Sequence, residues 1–381
     1  MSSSRLTVNL DSIISNYRYL DSLSHTGTHT GATIKADGYG LGALASALAC
    51  YHAGCREFFV ARLEEALLLR SGLNKAEIHD AHISIFEGVC GNDLSVYTEN
   101  RLTVIANRTE DVSWLASHGE RAPRHFLHID TAMNRLGLAY QNPQRLAEAV
   151  RALPKLAGVM SHLACADMPE NPVNPQQLER FQQAMNALSP HLLPSAKLSL
   201  ANSAGIFLGT PYHYQLTRPG IALTGTPPDD KAIGIEGLTP AYCWTADILQ
   251  IREIGAGETI GYGADFTAKK PMRLATIGAG YADGFLRQLS TATAPHHVGI
   301  AGIKAPLVGR ISMDVMVADI SALEEQKLAT LSYATLLDSQ FTASDMATKT
   351  GTIGYEILST IGARTNRQYN CSIEAIASRL G

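Results

Sequence analysis

The chain has 381 residues, enough for one large domain and a smaller one. Hydrophobic residues make up 45% of it and charged residues 17%, a globular balance that excludes extensive disorder. The formal net charge of −4 and the scatter of the lysines and arginines argue against nucleic acid or an anionic membrane as the main partner.

The cysteines and the first residues bear on the compartment. The six cysteines show neither a CxxC pair nor zinc-type spacing, so we predict no metal site and expect free thiols. The N-terminus has no basic stretch followed by an apolar one, and no apolar run approaches the roughly 18 residues of a membrane span. We therefore expect a cytoplasmic protein that does not enter a membrane.

Strand and helix patterns alternate along the first half of the chain. A strand at 5–9 precedes a helix for which Asp11 is the expected N-cap. The following strands, each with a helix after it except the last, are predicted at 33–34, 58–61, 82–86, 102–105, 125–130, 156–162, 198–201 and 214–217. Regular alternation of this kind predicts parallel strands with crossover helices.

The eight strands of this series indicate a (β/α)8 TIM-type barrel, although an open doubly wound sheet has the same local pattern. The barrel is favoured because the strand ends carry residues with useful chemistry. Active sites of such barrels lie at the carboxyl ends of the strands. The residues at these ends are Lys35, 130–135, His162, Asn202–Ser203 and Arg218.

The second half of the chain has a different pattern of predicted secondary structure. The segment 226–230, Thr-Pro-Pro-Asp-Asp, predicts a linker. Strands are predicted beyond it at 241–254, 272–277, 298–303, 305–308 and 315–320, with a helix at 373–380. We therefore predict a barrel over 10–226 and a β-rich C-terminal domain over 231–381.

Lys35 follows a short β-branched run and precedes three glycines and a tyrosine. With small neighbours its amine can project into a pocket, where desolvation lowers the pKa and improves the amine as a nucleophile and base. Such a lysine suits a carbonyl cofactor such as pyridoxal 5'-phosphate, which is held as a Schiff base. A surface lysine before a glycine turn is the alternative.

The ends of the last two predicted strands suit a phosphate. Asn202-Ser203 opens a helix and Gly220-Ile221 follows the final strand, the two places where this barrel commonly binds phosphate. Tyr39 is a further candidate hydroxyl donor. An N-capping serine and a Pro-Gly turn are the alternative interpretation of these residues.

Arg218 bears on the type of reaction. An arginine keeps its proton, so beside a pyridine nitrogen it can only donate a hydrogen bond. This weakens the cofactor as an electron sink and favours racemisation, which needs only a brief carbanion, over transamination. A salt bridge at the barrel rim is the alternative role for Arg218.

Four other residues have less specific patterns. Arg135 stands in a small, apolar turn and could bind a carboxylate, bind the phenolic oxygen of the cofactor or cap a helix. His162 either orients a catalytic group or is a structural residue. Tyr262 and Tyr281 stand between glycines, which is typical of turns and also of rings free to act as an acid or base in a neighbouring site.

Together these motifs resemble those of the alanine racemases, pyridoxal phosphate-dependent enzymes of fold type III. Nine of them in order, through both halves of the chain, make the resemblance specific: KADGYGLG (35–42), HIDTAMNRLG (128–137), SHLACAD (161–167), ANSAG (201–205), RPGIALTG (218–225), GETIGYG (257–263), GYADGFLR (280–287), VGRISMD (308–314) and TIGYE (352–356).

The resemblance implies two bases on opposite faces of alanine. Lys35 would hold the cofactor and act on one face, and Tyr262, supplied by the second subunit of a homodimer, would act on the other. His162 would hydrogen-bond toward Tyr262 and Arg218, and Arg218 would meet the pyridine nitrogen. The other implied cofactor-binding residues are Tyr39, Arg135, Asn202, Ser203, Gly220, Ile221 and Tyr355.

The resemblance also implies how the substrate is reached and bound. Arg135 and Met313 would bind its carboxylate, with Met313 likewise donated across the interface. A narrow corridor would be formed by Asp167, Tyr281, Arg287, Arg310, Ile353 and Tyr355. The strand at 5–9 would join the C-terminal domain, which then comprises 1–9 plus 231–381. The reaction would supply D-alanine for peptidoglycan or serve alanine catabolism.

This sequence departs from the family pattern at four positions. His128 stands where many members have a lysine, often carbamylated, whose negative charge positions the nearby arginine. An anion, a water or another carboxylate would then have to hold Arg135. Ala132, Thr224 and Ser312 replace a usual glycine, tyrosine and cysteine, and bear on packing more than on reaction type.

Other functions remain open from the sequence. A racemase of another small amino acid, such as serine, would have the same architecture. A decarboxylase would need an acidic partner for the pyridine nitrogen, which Arg218 argues against. A non-catalytic pyridoxal phosphate homeostasis protein would consist of the barrel alone, whereas this chain continues beyond Gly225 and carries Tyr262.

Overall fold

A computed structural model of the protein describes residues 3–91, 93–228, 237–290 and 295–378. The chain divides into two compact units. The first is built mainly from Ile13–Gly38 and Ala43–Leu223, and the second from the residues up to Ser12, Tyr39–Gly42 and Thr224–Ala377. The second half of the predicted linker, 229–230, and the end of the predicted C-terminal helix, 379–380, lie outside the described residues.

The strands alternate with helices in the first unit and predominate in the second. The strands are β1 (Ser4–Asn9), β2 (His29–Thr30), β3 (Ala32–Thr33), β4 (Glu57–Val60), β5 (His82–Ile85), β6 (Leu102–Ala106), β7 (His125–Asp130), β8 (Leu138–Ala139), β9 (Leu156–Met160), β10 (Lys197–Ser199), β11 (Leu216–Thr217), β12 (Tyr242–Ile254), β13 (Thr259–Ile260), β14 (Phe266–Thr267), β15 (Met272–Ile277), β16 (His297–Ile300), β17 (Ile303–Pro306), β18 (Met316–Asp319), β19 (Tyr333–Leu337) and β20 (Asn366–Asn370).

The α-helices have their boundaries at Leu10–Leu23, Ala43–His52, Leu63–Lys75, Leu94–Glu99, Thr109–His118, Pro143–Ala152, Val173–Leu188, Ser203–Phe207, Glu325–Leu328, Ala343–Thr350, Gly354–Ser359 and Glu374–Ala377. The segment Lys35–Tyr39 forms a left-handed turn instead, because its backbone has positive φ angles from Ala36 onward.

The parallel strands of the first unit close into a barrel. Their order is β3-β4-β5-β6-β7-β9-β10, and β11 pairs with β2, which β3 continues after Gly31. β11 also joins β10, because Gln215 N donates to Leu198 O at 3.1 Å and Arg218 N donates to Ala201 O at 2.9 Å. Counting β2 and β3 as one strand, the predicted (β/α)8 barrel is confirmed.

The barrel core explains the continuous apolar runs of its strands. Every residue of β4 and β6 is buried, as expected for strands covered on both faces. Side chains from five strands meet inside the barrel in one cluster: Phe59, Ile105, Phe126, Met160 and Leu216. The sequence did not reveal β2, because its His-Thr-Gly segment reads as polar. Glycine is required at 31, where a Cβ would lie 3.0 Å from Glu57 O.

The second unit is a mostly antiparallel sheet with the order β17-β16-β19-β12-β1-β20, joined by β15 and β18. The N-terminal strand β1 lies between β12 and β20 in this sheet. The predicted single strand at 298–303 is wrong. It is divided between β16 and β17, because the chain reverses at Ala301 and Gly302, whose φ angles are 45° and 87°. The β-rich character of this unit is confirmed, although β19 and β20 were not predicted.

A charged cluster lies at the amino ends of the barrel strands. The buried carboxylate of Glu57 accepts two hydrogen bonds from Arg124, at 2.9 and 3.1 Å, and one from Lys197 at 2.9 Å. Burial opposes ionisation of Glu57, but the two cations outweigh it and hold its pKa below the usual value. This end of a barrel serves stability rather than catalysis.

We predict that Glu57→Gln lowers the free energy of unfolding by about 2–3 kcal/mol at pH 7, because two cations lose their anion. A carboxylate with a depressed pKa stabilises the fold above its unfolded pKa of about 4.3 and loses this effect as the pH falls through the folded value. Urea unfolding midpoints should therefore differ at pH 7 and converge in acid. An equal difference at pH 7 and in acid would contradict the assignment.

Candidate active site

Lys35 lies at a corner between a sheet strand and a strained turn. Ile34 N donates to Phe59 O at 2.9 Å, which ends the strand pairing one residue before the lysine. From Ala36 to Tyr39 the four φ angles are 51°, 52°, 64° and 56°. A left-handed conformation costs roughly 1–2 kcal/mol per non-glycine residue. Such strain persists only where neighbouring contacts fix it, as they commonly do at functional sites.

The amine of Lys35 is half-buried. Among the described residues, Nζ has no hydrogen-bond or ion-pair partner. Burial lowers the pKa of Lys35, the charge of Arg135 lowers it further, and the charge of Glu65 opposes both. This is the direction that the sequence predicted for a lysine projecting into a pocket.

Arg218 is a buried cation, 2% exposed, without a carboxylate partner among the described residues. Its terminal nitrogens donate to Ser199 Oγ, to Ser161 O at 2.6 Å and to Leu200 O at 3.4 Å. Its Nε is buried and has no partner in this part of the chain. Burial lowers the pKa of Arg218 to about 9, so the guanidinium stays charged at neutral pH and keeps its Nε–H as an unused donor.

The electrostatic environment of His162 indicates which residues lie together at the carboxyl ends of the strands. Burial lowers its pKa well below the usual value. The charges of Arg218 and Arg135 lower it further, as would those of His128 and Lys35 when protonated. Charges shift a pKa when they lie within several ångströms of the titrating group. The structure therefore brings these residues, from four different strands, to one end of the barrel, with His162 as a neutral imidazole.

His128 is also neutral, because burial, and then Arg218, lower its pKa to about 4. Its Nδ1 lies 2.8 Å from Asn107 Oδ1, and Asn107 Nδ2 donates to Phe86 O. The amide oxygen of Asn107 therefore faces the ring, so that Nδ1 carries the proton and Nε2 is an acceptor. Within the described residues no carboxylate pairs with Arg135, which is exposed.

Ser203 joins the ends of the last two strands. Its Oγ accepts from Gly220 N at 2.8 Å and from Ala222 N at 3.3 Å. With both lone pairs engaged, the hydroxyl proton is the donor that remains. Asn202 caps the short helix, because its Oδ1 accepts from Gly205 N at 2.8 Å. Ile221, which lies between Gly220 and Ala222 in the sequence, is buried.

Two predicted phosphate-binding tyrosines lie together in the second unit. The rings of Tyr39 and Tyr355 meet edge to face, with centroids 6.0 Å apart. Tyr39 begins the segment Tyr39–Gly42 of that unit, and Tyr355 lies in the helix Gly354–Ser359. Gly40 allows the approach of this helix, since a Cβ there would lie 2.2 Å from Leu358 O.

Several other predicted residues of the second unit have exposed side chains. Tyr262 is 72% exposed, Met313 and Ile353 are each 51% exposed, and Tyr281 is 41% exposed. The segments that carry them are tied together, because Tyr281 N donates to Ser312 O at 3.1 Å and Ala282 N donates to Met313 O at 3.0 Å.

The remaining predicted residues are charged. Arg310 forms an ion pair with Asp265, which lies three residues after Tyr262. Gly261 and Gly263 lie next to Arg310. Arg287 is exposed in the second unit, and Asp167 is exposed in the first unit, after β9.

Sequence reasoning missed residues that support the site. Ser199 and Ser161 bind Arg218 and Asn107 fixes His128, but each lies in or beside a strand where nothing in the local pattern marks it. The local pattern does not mark Glu65 either, because the N-cap of its helix is Arg62 and not the serine or threonine of a capping-box sequence.

Comparisons with known proteins cover the whole architecture. The family models for the alanine racemase N-terminal and C-terminal domains match residues 8–228 and 241–369. A catabolic and a biosynthetic alanine racemase of Agrobacterium fabrum are each 38% identical; both alignments cover 96% of this chain and 92% and 93% of the relatives. The alanine racemase of Bartonella henselae, solved with covalently bound pyridoxal phosphate, is 32% identical with a TM-score of 0.84, covering 97% of this chain and 100% of that one.

A closed parallel barrel with a lysine and a buried arginine at its carboxyl end, followed by a β-rich unit, defines a class of pyridoxal phosphate-dependent amino-acid racemases, which are isomerases. Within that class, the chain belongs to the alanine racemase family. Across the described ranges, no helix is long and apolar enough to cross a bilayer.

The residues present fit the cofactor of this family. The unpartnered Nε–H of Arg218 is a buried donor that requires an acceptor, and a pyridine nitrogen is one. Ser203 retains a hydroxyl proton suited to a phosphate oxygen. Lys35 supplies an amine whose lowered pKa favours the neutral, nucleophilic form.

We predict that Ser203→Ala lowers the free energy of unfolding by about 2–3 kcal/mol, because two buried backbone N–H groups lose their acceptor. It should also weaken retention of the cofactor on dialysis. Thermal unfolding measures the loss of stability, and the cofactor absorbance that remains after dialysis measures its retention. Ser22→Ala is the control, since this exposed hydroxyl bonds only within its own helix. An unfolding temperature unchanged from the parent protein would refute the role of Ser203.

Proposed function

We propose that this protein is an alanine racemase that interconverts L-alanine and D-alanine with bound pyridoxal phosphate. The observation that carries the proposal is the buried arginine, Arg218, with a free Nε donor at the same barrel end as Lys35. The reaction would supply D-alanine for peptidoglycan synthesis or would serve alanine catabolism. We also propose a cytoplasmic location, supported by six free cysteines, and domain limits of 10–226 and of 1–9 plus 231–381.

Racemisation needs one proton removed from Cα on one face and another returned on the opposite face. When bound, the cofactor supplies an electron sink for the pair left at Cα. Lys35 would hold the cofactor and move the proton on one face through Nζ. Its lowered pKa supports this role, because an amine acts as a base only when it is neutral.

Arg218 would donate from Nε to the pyridine nitrogen without protonating it. An arginine there keeps the sink weak, which shortens the life of the carbanion and disfavours side reactions such as transamination. His162 would hydrogen-bond toward Tyr262 and Arg218 as a neutral group. Its strongly lowered pKa supports this, since a second buried cation next to Arg218 would be costly.

Tyr262 of the partner subunit would move the proton on the opposite face. Its 72% exposure in the single chain supports such a role, because a ring left uncovered by its own chain is free to enter another. Met313 would be donated in the same way, and it is 51% exposed. We therefore propose a homodimer in which each site needs both subunits.

The other residues would bind and admit ligands. Ser203, Ile221, Tyr39 and Tyr355 would hold the phosphate, helped by Asn202 and Gly220, and the ring contact of the two tyrosines supports their joint role. Arg135 would bind the substrate carboxylate, with His128 Nε2 as a neutral neighbour in place of a carbamate. The corridor would be formed by Asp167, Tyr281, Arg287, Arg310, Ile353 and Tyr355.

Incubation of the purified protein with L-alanine and with L-serine tests the proposal. Optical rotation should fall toward zero with L-alanine and change far more slowly with L-serine. A serine rate equal to or above the alanine rate would favour a racemase of another amino acid. Absorbance from bound cofactor without racemisation of either would indicate a non-catalytic pyridoxal phosphate protein.

We predict that Tyr262→Phe lowers kcat about 100- to 1,000-fold, the usual effect of removing a general acid or base. The cofactor should stay bound. In D2O, NMR should show loss of the α-proton from one enantiomer of alanine only, because the base on the other face remains. Tyr333→Phe is the matched control, since Tyr333 is an exposed tyrosine, at 51%, in β19. Full racemisation by Tyr262→Phe would contradict the two-base assignment.

We predict that Lys35→Ala abolishes covalent retention of the cofactor, because no other residue is proposed to form the bond. Borohydride reduction followed by peptide mass spectrometry should locate the cofactor on Lys35 in the parent protein and on no peptide of the variant. A labelled lysine elsewhere in the parent protein would overturn the assignment.

A further inference from the structure

One carboxylate, that of Glu65, joins two elements beside Lys35. Its Oε1 accepts from Ala36 N, the residue after the lysine, at 2.6 Å. Its Oε2 accepts from Ala61 N at 2.7 Å and from Arg62 N at 3.1 Å, which caps the helix Leu63–Lys75. Hydrogen bonds to an ionised acceptor are typically short and strong, and the bonds from Ala36 N and Ala61 N have such short distances.

The bond to Ala36 acts where the backbone is strained. The sheet holds the chain as far as Ile34, and Ala36 is the first left-handed residue beyond Lys35. The next side-chain support comes at Asp37, whose Oδ1 accepts from Ala43 N at 2.8 Å. Glu65 is therefore the side chain that fixes the peptide directly after Lys35.

The charge of Glu65 acts on the amine as well. Burial and Arg135 both favour the neutral form of Lys35, and Glu65 is the anion that opposes them. A group that both takes and returns a proton works best when its pKa lies near the operating pH. Without Glu65, the amine would stay neutral to lower pH and return its proton less readily.

We propose that Glu65 is a positioning residue for Lys35, holding the corner at Ala36 and supplying the negative charge that keeps the amine able to carry a proton. The inference rests on the proposed role of Lys35 and adds a residue that touches neither substrate nor cofactor.

Glu65→Gln tests the proposal. Glutamine is neutral and offers one acceptor oxygen, so it cannot serve Ala36 and the helix N-terminus together. Competitive acetylation of the cofactor-free full-length protein across pH, with mass spectrometry of the Lys35 peptide, measures the titration of this amine. We expect its midpoint to fall to a lower pH. In the loaded enzyme, the acidic limb of kcat, which reports groups that titrate with substrate bound, should shift in the same direction.

Glu87→Gln is the matched control. Glu87 Oε1 accepts from Leu63 N at 2.7 Å and so caps the same helix without touching Ala36. Glutamine at this position keeps an acceptor oxygen for Leu63 N, so this variant should lose less thermal stability than Glu65→Gln and leave the Lys35 midpoint in place. Equal midpoints for Glu65→Gln and the parent protein, or equal shifts for both variants, would show that Glu65 is only a helix cap.

Glu65→Asp tests the same proposal if the glutamine variant does not fold. It keeps the charge but draws it back by one methylene, so a smaller downward shift is expected and an unchanged midpoint would overturn the proposal. The labelling reads Lys35 directly. A parent protein that shifts as predicted on substitution yet fails to racemise alanine would refute the proposed function and leave the role of Glu65 intact.

Discussion

The burial of positive charge at one end of a closed barrel is the constraint on which the rest of this site depends. Among the described residues, the terminal nitrogens of Arg218 donate to neutral acceptors, the carbonyls of Ser161 and Leu200 and Ser199 Oγ, and no carboxylate pairs with this side chain. Its charge is therefore not cancelled locally. The groups around it must avoid further positive charge, because uncompensated buried cations are costly.

The protonation states of the neighbouring groups follow from that constraint. The pKa values of His162, His128 and Lys35 are all lowered, and Arg218 contributes to the first two shifts. Asn107 fixes the tautomer of the neutral His128 ring by accepting from Nδ1. One anion near Lys35, the carboxylate of Glu65, works in the opposite direction. A cationic barrel end with an anion beside Lys35 thus suits chemistry that requires a neutral amine and a charged hydrogen-bond donor.

The motif at 35–42 serves both units of the chain. Its first residues form the left-handed corner of the barrel unit, and Tyr39–Gly42 belongs to the second unit. Glycine is needed at two positions there, because a Cβ would lie 2.2 Å from Leu358 O at Gly40 and 2.1 Å from Tyr369 Oη at Gly42. This explains a glycine density that, in the sequence alone, reads as an ordinary turn.

The sequence by itself determined the barrel, the β-rich second unit and the strand ends where the chemistry lies. The periodicity of hydrophobic residues and the positions of glycine and proline are local signals, which can be read without the tertiary structure. The sequence placed one strand across the reversal at Ala301–Gly302, because two short apolar runs separated by a two-residue turn look continuous.

Only the tertiary structure decided which groups meet. Ser199 and Glu65 bind residues 19 and 29 positions away in the chain, and no periodic pattern encodes such contacts. Protonation states were decided in the same way, since they depend on burial and on charges that only the closed barrel brings near His162 and Lys35.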